Sequence, residues 1–534
     1  MSAANPSSDT AGPLPPPARP SARPHPPLTG GTLAIGTIAL SLATFMNVLD
    51  TTIANVSIPA ISGDLGVSAS QGTWVITSFG VANAISLPLT GWLTQRIGQV
   101  RLFLGSVLMF VIASWLCGMS PSIEMLIACR VVQGFVAGPM IPLSQTLLLS
   151  SYPPQKSGTA LAMWGMTTLV APVVGPLAGG FITDNIGWPW IFFINIPVGL
   201  GAAFMTWTIY RSRETPTRKT PIDKVGRALL VVWVGSLQIM LDKGKELDWF
   251  GSTQIVVLAI LAVLGFAYFV IWELTEAHPV VDLRLFAGRN FSIGTLCTAL
   301  AYALFFGNVV LLPLWLQQWM GYTATLAGMV MAPVGVLAIV LSPLVGRLVN
   351  KVDPRRLVTI AFIVFALVLY MRSLFSTETN FGTIMVPTIL QGVAVAFFFI
   401  PLTSITLSGI PPERIPSATG LANFARISAG SFGTSISTTL WEDRASLHHV
   451  HLVEHVTHGT QAFDHVLRTL MATGMSRDQA MALIDRIVNA QSFTLAADEI
   501  FYGSALLFLV LIAVVWLSRP RIGGIGASEA SGAH

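Results

Sequence analysis

Apolar segments recur along nearly the whole chain and are separated by short polar stretches. The windows 33–48, 102–119, 255–272 and 505–517 contain no Asp, Glu, Lys or Arg. About 20 apolar residues span a bilayer as a helix, and a backbone in hydrocarbon must satisfy its own hydrogen bonds. The pattern therefore predicts an all-α polytopic membrane protein. Its fourteen transmembrane helices are predicted to centre near residues 44, 84, 110, 135, 171, 199, 233, 264, 306, 338, 366, 396, 429 and 508.

Composition supports lipid as the solvent of this chain. Only 10% of its 534 residues are charged and 53% are hydrophobic, whereas about a quarter of a soluble domain is charged. A soluble enzyme, a nucleic-acid binder and a disulfide scaffold are thereby disfavoured. The three cysteines, Cys117, Cys129 and Cys297, all lie in apolar segments, which favours packing over a disulfide or metal role.

The distribution of basic residues predicts the orientation. If the N-terminus is cytoplasmic, eighteen of the 29 Lys and Arg fall at cytoplasmic ends and loops, and the short external loops hold only Lys243, Lys245 and Arg372. Cytoplasmic loops of membrane proteins carry such an excess of positive charge. Both termini are therefore predicted to be cytoplasmic.

The sequence repeats itself with an offset of 255 to 258 residues. PLTGWLTQRIGQVRL (88–102) aligns with PLVGRLVNKVDPRRL (343–357), and Gln133-Gly134 aligns with Gln391-Gly392. Repeated halves with a site between them are typical of secondary transporters. The predicted organisation is a Pro-rich cytoplasmic tail 1–29, an N-terminal six-helix half 30–212, a linker with two inserted helices 213–275, a C-terminal six-helix half 276–518 that includes an external loop 442–498, and a cytoplasmic tail 519–534.

Few ionisable residues lie inside the predicted spans, and each is a candidate functional residue because a charge in a membrane is costly. Asp50 and Arg130 form a candidate proton-coupling pair, with a fixed structural pair as the alternative. The predicted substrate cavity consists of Asn47, Asn308, Gln391 and Arg426.

Six of the nine histidines lie in the predicted external loop. His448, His451, His455 and His458 have the spacing of one helical face, which suits zinc binding, pH sensing or a solvated helix that faces a partner. No cysteine accompanies them, and we expect the last of these, with no metal site.

Several motifs resemble the major facilitator superfamily and, within it, the fourteen-span drug:proton antiporters. They are LDTTIANVSIP (49–59), GWLTQRIGQVR (91–101), RVVQGFVAG (130–138), APVVGPLAGG (171–180) and WPWIFFINIPVG (188–199). The resemblance implies proton coupling through Asp50 and Arg130. It also implies an antiporter-motif hinge of Pro172, Gly175, Pro176, Gly179 and Gly180, and a cytoplasmic gate of Gly91, Gln95, Arg96, Gly98 and Arg101. The family motif has an acid where Gln95 stands, so we expect Gln95 to bond a helix end in its place.

The same resemblance implies a proton-driven multidrug exporter in the bacterial inner membrane, working by alternating access on small lipophilic or amphipathic substrates. It implies no cofactor beyond the proton and no enzymatic activity. A periplasmic adaptor protein and an outer-membrane channel are the expected partners. A narrow-specificity exporter of a metabolite or siderophore and a non-transporting membrane sensor are the alternatives.

Overall fold

Helices make up the architecture. The computed structural model describes residues 25–217, 223–277, 279–455 and 461–519, and no β-strand occurs in these ranges. The first half contains α1 Gly30–Asp64, α2 Ala69–Gly72, α3 Trp74–Ser86, α4 Thr90–Ile97, α5 Gln99–Gly118, α6 Ile123–Ala137, α7 Met140–Ser151, α8 Ser157–Asn185, α9 Trp190–Phe193 and α10 Asn195–Tyr210. The inserted pair is α11 Lys224–Lys243 and α12 Thr253–Thr275. The second half contains α13 Arg289–Gln318, α14 Ala324–Leu348, α15 Pro354–Arg372, α16 Phe381–Thr406, α17 Ile415–His455, α18 Gln461–Ala472 and α19 Arg477–Trp516.

Many of these helices can cross a membrane. Eleven helical stretches within the described residues are long and apolar enough, and the pair α3 and α4, bent by 63°, would make a twelfth. The helices α8 and α17, of 29 and 41 residues, pack inside the bundle against α1 and α13 respectively, the first helices of the two halves. The all-α membrane fold is confirmed, and the count of fourteen spans stays a prediction.

Two predicted spans are each built from two helices. The break between α3 and α4 contains Pro88, and α7 begins directly after Pro139. Proline has no backbone N–H to continue a helix, which explains both breaks. The second segments, α4 and α7, contact α17 of the other half. The breaks therefore aim these segments at the interface between the halves.

The region predicted as an external loop of the second half, residues 442–498, is continuous with helices of the bundle. The helices α17 and α19 run without interruption across the predicted bounds Glu442 and Asp498. Residues 434–455 of α17 and 477–502 of α19 contain no Gly or Pro, and charged residues alone do not stop a helix. The extensions and α18 share a small apolar core of Phe463, Leu467, Ala480, Ile484 and Val488. The predicted helical character is confirmed, and the external position of residues 442–498 stays a prediction.

Two of the three cations assigned to external loops lie inside helices instead. Lys243 is 5% exposed and binds Thr73 and Glu246, whereas Arg372 is completely buried at the end of α15. Their positions after long apolar runs resemble loop starts, yet the helices include them because their side chains turn into the protein.

Candidate proton-coupling site, gate and cavity

The predicted pair of intramembrane charges is in direct contact. Arg130 on α6 donates from Nη1 to Oδ2 of Asp50 on α1, at 2.5 Å. Both side chains are fully shielded, with residue exposures of 1% for Asp50 and 0% for Arg130. Arg130 also donates from Nε to the carbonyl oxygen of Val75 at 3.0 Å, and its guanidinium lies 4.3 Å from the ring centre of Phe79.

Neutral polar side chains complete the environment of Asp50. Gln133 and Asn195 donate to its Oδ1 at 3.1 and 2.8 Å, and both also donate to the hydroxyl of Ser114. Asp50 thus accepts from three side chains on two other helices, a fully hydrogen-bonded arrangement that a buried carboxylate requires.

Sequence reasoning did not select these neutral partners. Gln133 stands three residues after Arg130 on the same face of α6, a spacing that could have identified it. Ser114 and Asn195 carry no comparable signal, because a serine or an asparagine in a membrane helix is ordinary.

The predicted hinge packs beside this pair. A Cβ added to Gly175 of α8 would overlap Thr52, and one on Gly179 would come within 2.8 Å of the carbonyl oxygen of Ile53. Thr52 and Ile53 follow Asp50 by two and three residues, so α8 touches the turn of α1 that carries the carboxylate. Gly180 is half-buried. The side chains of Pro172 and Pro176 lie outside the described set.

The second half repeats this glycine contact. Gly433 on α17, at the repeat position of Gly175, packs against the carbonyl group of Ala303 on α13. No carboxylate stands at the repeat position of Asp50, which is Phe305. The packing of the first helix is therefore common to the halves, and the buried ion pair is not.

Close glycine contacts seal the two halves at the end predicted to be cytoplasmic, referred to below as the cytoplasmic end. Gly91 on α4 packs against Ser417 of α17, whose Cα would lie 2.8 Å from an added Cβ. Its repeat equivalent, Gly346 on α14, packs against the carbonyl oxygen of Gly158 on α8, 2.6 Å from an added Cβ. Asn350 adds a hydrogen bond to the carbonyl of Gln155 at 2.9 Å.

The acceptor at the start of α5 is Glu214, and not Gln95 as expected. Oε1 and Oε2 of Glu214 accept from the backbone N–H groups of Val100 and Arg101 at 3.1 and 2.8 Å. Gly98 has a φ of +98° and leaves space for this carboxylate, which a Cβ would overlap. Sequence reasoning missed Glu214 because it lies more than 110 residues further along the chain.

The two remaining residues of the predicted gate lie at the surface of α4. Gln95 is exposed and helps to line a pocket beside Asp282 and Arg414, which pair with each other. Arg96 stacks over Trp92, 5.5 Å from its ring centre.

One predicted cavity residue does line a cavity between the halves. Arg426 on α17 is 7% exposed and lies within 5.8 Å of the ring centres of Trp164, Tyr302 and Phe399. The wall combines residues of both halves: Gln145, Trp164, Thr298, Phe398, Phe399, Leu402, Thr403, Thr406, Leu407, Thr419, Ala422, Asn423 and Arg426. The cavity is thus mainly aromatic and hydroxylic, with one buried cation.

The other three predicted cavity residues bind neighbouring helices instead. Asn47 donates to the carbonyl of Ala137 at 2.9 Å, and Asn308 donates to Ser504 at 3.1 Å. Gln391 accepts from Arg372 at 2.7 Å. The structure therefore does not bring Asn47, Asn308 and Gln391 together with Arg426 in the cavity wall.

Two histidines near the C-terminal end of α17 lie beside acids of α19. Nε2 of His448 lies 3.1 Å from Glu499, and Nε2 of His449 lies 3.8 Å from Asp485. No group of His, Cys, Asp and Glu that could hold a metal was found among the described residues. The side chain of His455 and all of His458, which belong to the predicted histidine face, lie outside the described residues.

Comparison with known proteins agrees with this architecture. Residues 40–434 match the family model of the Major Facilitator Superfamily. The chain is 55% identical over 95% of its length to the multidrug export protein EmrB of Escherichia coli K12, covering 99% of that protein. It is 50% identical to the fatty acid resistance protein FarB of Neisseria gonorrhoeae, over 93% of this chain and 98% of FarB.

Solved structures share the fold at low sequence identity. The human organic anion transporter MFSD10 superposes with a TM-score of 0.58 at 12% identity, covering 91% of this chain and 100% of that one. The proton:xylose symporter XylE gives 0.56 at 14% identity, covering 92% and 98%. The family model, the 55% identity to EmrB and the apolar helices together make the chain a multi-pass transporter, not an enzyme, of the bacterial inner membrane. It belongs to the Major Facilitator Superfamily.

Proposed function

We propose that this protein exports lipophilic and amphipathic toxic compounds from the cytoplasm in exchange for external protons. The observation that carries the proposal is the buried Asp50–Arg130 pair beside the α1–α8 glycine contact. Relatives of 55% and 54% identity, from Escherichia coli and Haemophilus influenzae, are multidrug export proteins. A secondary transporter of this kind needs no cofactor, and the proton is its coupling ion.

The ion pair is suited to convert protonation into motion. An ionised Asp50 attracts Arg130 strongly in a site without water, whereas a protonated Asp50 loses this attraction and becomes a donor that must find another acceptor. Arg130 is then a buried cation without a counter-ion, which is costly. Relief requires α1 and α6 to rearrange.

The adjacent helix contact transmits that rearrangement. Thr52 and Ile53 belong to the same turn as Asp50. They contact the backbone of Gly175 and Gly179 of α8 directly, because glycine has no side chain. Because α8 also contacts α14 at Gly158, a shift of α1 reaches the contact that closes the cytoplasmic end. Loading a proton from outside thereby favours opening toward the cytoplasm, where the proton leaves and substrate binds.

The cavity suits varied ligands. Aromatic faces and hydroxyl groups of both halves surround it, and apolar surfaces with few directional groups accept unrelated shapes. The external extension of α17, α18 and α19 offers a docking platform for a periplasmic adaptor, which would connect the exporter to an outer-membrane channel. The five-part division predicted from the sequence, with residues 442–498 inside the second half, is part of this proposal.

Transport by reconstituted protein tests the exchange. In proteoliposomes with an inward proton gradient, wild-type protein should export several unrelated lipophilic dyes and show dye-dependent proton influx into the lumen. Asp50→Asn should abolish both fluxes and keep dye binding measurable by fluorescence. Asp64→Asn is the matched control, since Asp64 lies on the same helix and binds only Trp188 among the contacts described.

Each rival reading has its own outcome. Coupled flux in Asp50→Asn at the wild-type rate would refute the assigned coupling role. Export of one chemical class alone would indicate a narrow-specificity exporter. Absence of flux in wild-type protein would favour a sensor.

A further inference from the structure

The second half contains a buried arginine that the proposed exchange does not use. Arg372, the last residue of α15, has no exposed surface. Its Nη2 donates to Gln391 at 2.7 Å and to Thr388 at 3.3 Å. Nε and Nη1 are buried and have no acceptor among the described residues, and no described carboxylate pairs with this guanidinium.

The repeat shows how this cluster departs from the first half. Gln391 and Thr388 occupy the positions of Gln133 and Arg130 at the offset of 258, and Arg372 occupies the position of Cys117 at the offset of 255. The Cys117 thiol lies 3.6 Å from Oε1 of Gln133, the atom equivalent to the one that accepts from Arg372. The second half thus carries its guanidinium on the neighbouring helix, α15, and no described carboxylate pairs with it.

We propose that Arg372, with Thr388 and Gln391, forms an anion-binding site in the second half. A buried cation without a counter-ion is costly in a membrane protein, and an anion that reached Nε and Nη1 would remove that cost. These two nitrogens are donors on one planar group, which suits a carboxylate or a halide. The ligand is therefore a monovalent anion, either free chloride or the carboxylate of a lipophilic compound.

Anion-dependent thermal unfolding of the purified protein in detergent tests the site. At constant ionic strength, replacement of gluconate by chloride should raise the unfolding temperature of wild-type protein along a saturating curve, because a ligand stabilises the state that binds it. The same titration with decanoate distinguishes the sources. A response to chloride identifies a free anion, and a response to decanoate alone identifies an organic carboxylate.

Three variants decide whether Arg372 is responsible. Arg372→Gln should lose the anion-dependent shift. Gln391→Glu should also lose it, because the new carboxylate stands 2.7 Å from Nη2 and supplies an internal counter-ion. Arg444→Gln, which removes an exposed arginine paired with Glu499, should keep the full shift.

Two outcomes would overturn the proposal. One is a wild-type protein that responds to neither anion, and the other is an Arg372→Gln or Gln391→Glu protein with an unchanged response. For decanoate, Arg426→Gln is measured as well, since loss of the response there with retention in Arg372→Gln would place the carboxylate in the inter-half cavity. The chloride result does not depend on the exchange proposed above, so the two proposals can fail separately.

Discussion

The two halves of the bundle repeat their helix contacts and differ in their buried charges. Gly175 and Gly433 bring the fifth span of each half against the first, and Gly91 and Gly346 both close the cytoplasmic end. The first half adds a matched acid and base, whereas Arg372 of the second half has no acid beside it among the described residues. Close helix packing requires small residues at fixed positions, whereas a buried ion pair is needed only where protonation is coupled to transport. A scaffold of two similar halves can therefore concentrate coupling in one of them.

The largest difference should follow from removing Arg130 and Arg372 in turn. Arg130→Met strands the Asp50 carboxylate, which should cost about 3–5 kcal/mol of stability. Arg372→Met removes a cation that has no partner acid, so it should be nearly neutral or stabilising in gluconate buffer. Thermal unfolding of both purified variants measures this. A larger loss in Arg372→Met would show that the second half hides a counter-charge and would break the comparison.

For the glycine contacts the expected order of the two halves is reversed. A single added methyl group should cost more stability in the second half than in the first. In Gly433→Ala the Cβ meets the backbone carbonyl of Ala303, which cannot move alone, so we expect a loss of about 1–3 kcal/mol. In Gly175→Ala it meets only the side chain of Thr52 at close range, where the hydroxyl can rotate and the Cβ, 2.8 Å away, must shift, so the loss should be smaller. Gly201→Ala, with no atom within 4 Å, is the control and should be neutral or stabilising. Equal losses at both sites would mean that Thr52 is as rigid as backbone.

The cytoplasmic seal allows a conformational test of the same symmetry. Gly346→Ala and Gly91→Ala should each destabilise the closed state by about 1–2 kcal/mol and thereby raise the open population about 5–30-fold. The readout is maleimide labelling, in inside-out vesicles, of Thr403→Cys in the cavity wall, in protein lacking the three native cysteines. Gly105→Ala, whose added Cβ meets nothing within 4 Å, should leave the rate unchanged. An increase in only one of the two variants would show that the halves do not close as a pair.

The features that could be predicted from the sequence are those marked by residue types that are rare in apolar spans. Asp50 and Arg130 were identifiable because charges inside apolar spans are few, and the helices were identifiable by length. Asn195 and Ser114 could not be found this way, since neutral polar residues are common in helices. The sequence predicts a loop position for Arg372, because only its burial distinguishes it from a cation that flanks a transmembrane helix. Glu214 reaches α5 from the start of the linker that follows the first half, and no local pattern predicts such a contact.

The smallest expected effect concerns the starts of α5 and α15, where the halves solve one problem differently. Gly98 has no side chain that could cap α5, and Glu214 caps it instead. Asp353, the repeat equivalent of Gly98, caps α15 itself by accepting from the N–H of Arg355 at 3.0 Å. Burial raises the pKa of Asp353, but hydrogen bonds from the side chain and backbone of Arg355 outweigh it, and the net pKa is lowered.

Both caps should therefore contribute only modestly. Asp353→Asn and Glu214→Gln should each cost about 0.5–1 kcal/mol at pH 7, the range of a helix cap. A lowered pKa means that the Asp353 contribution is complete above the ordinary value of about 3.9 and is lost as pH falls through the folded-state value. Unfolding temperatures of wild type and Asp353→Asn, compared from pH 7 downward, should keep a constant gap to about pH 4 and converge below it. A gap that already closes near pH 6 would mean that another titrating group controls this end of α15, and that the two caps differ in more than the origin of their carboxylate.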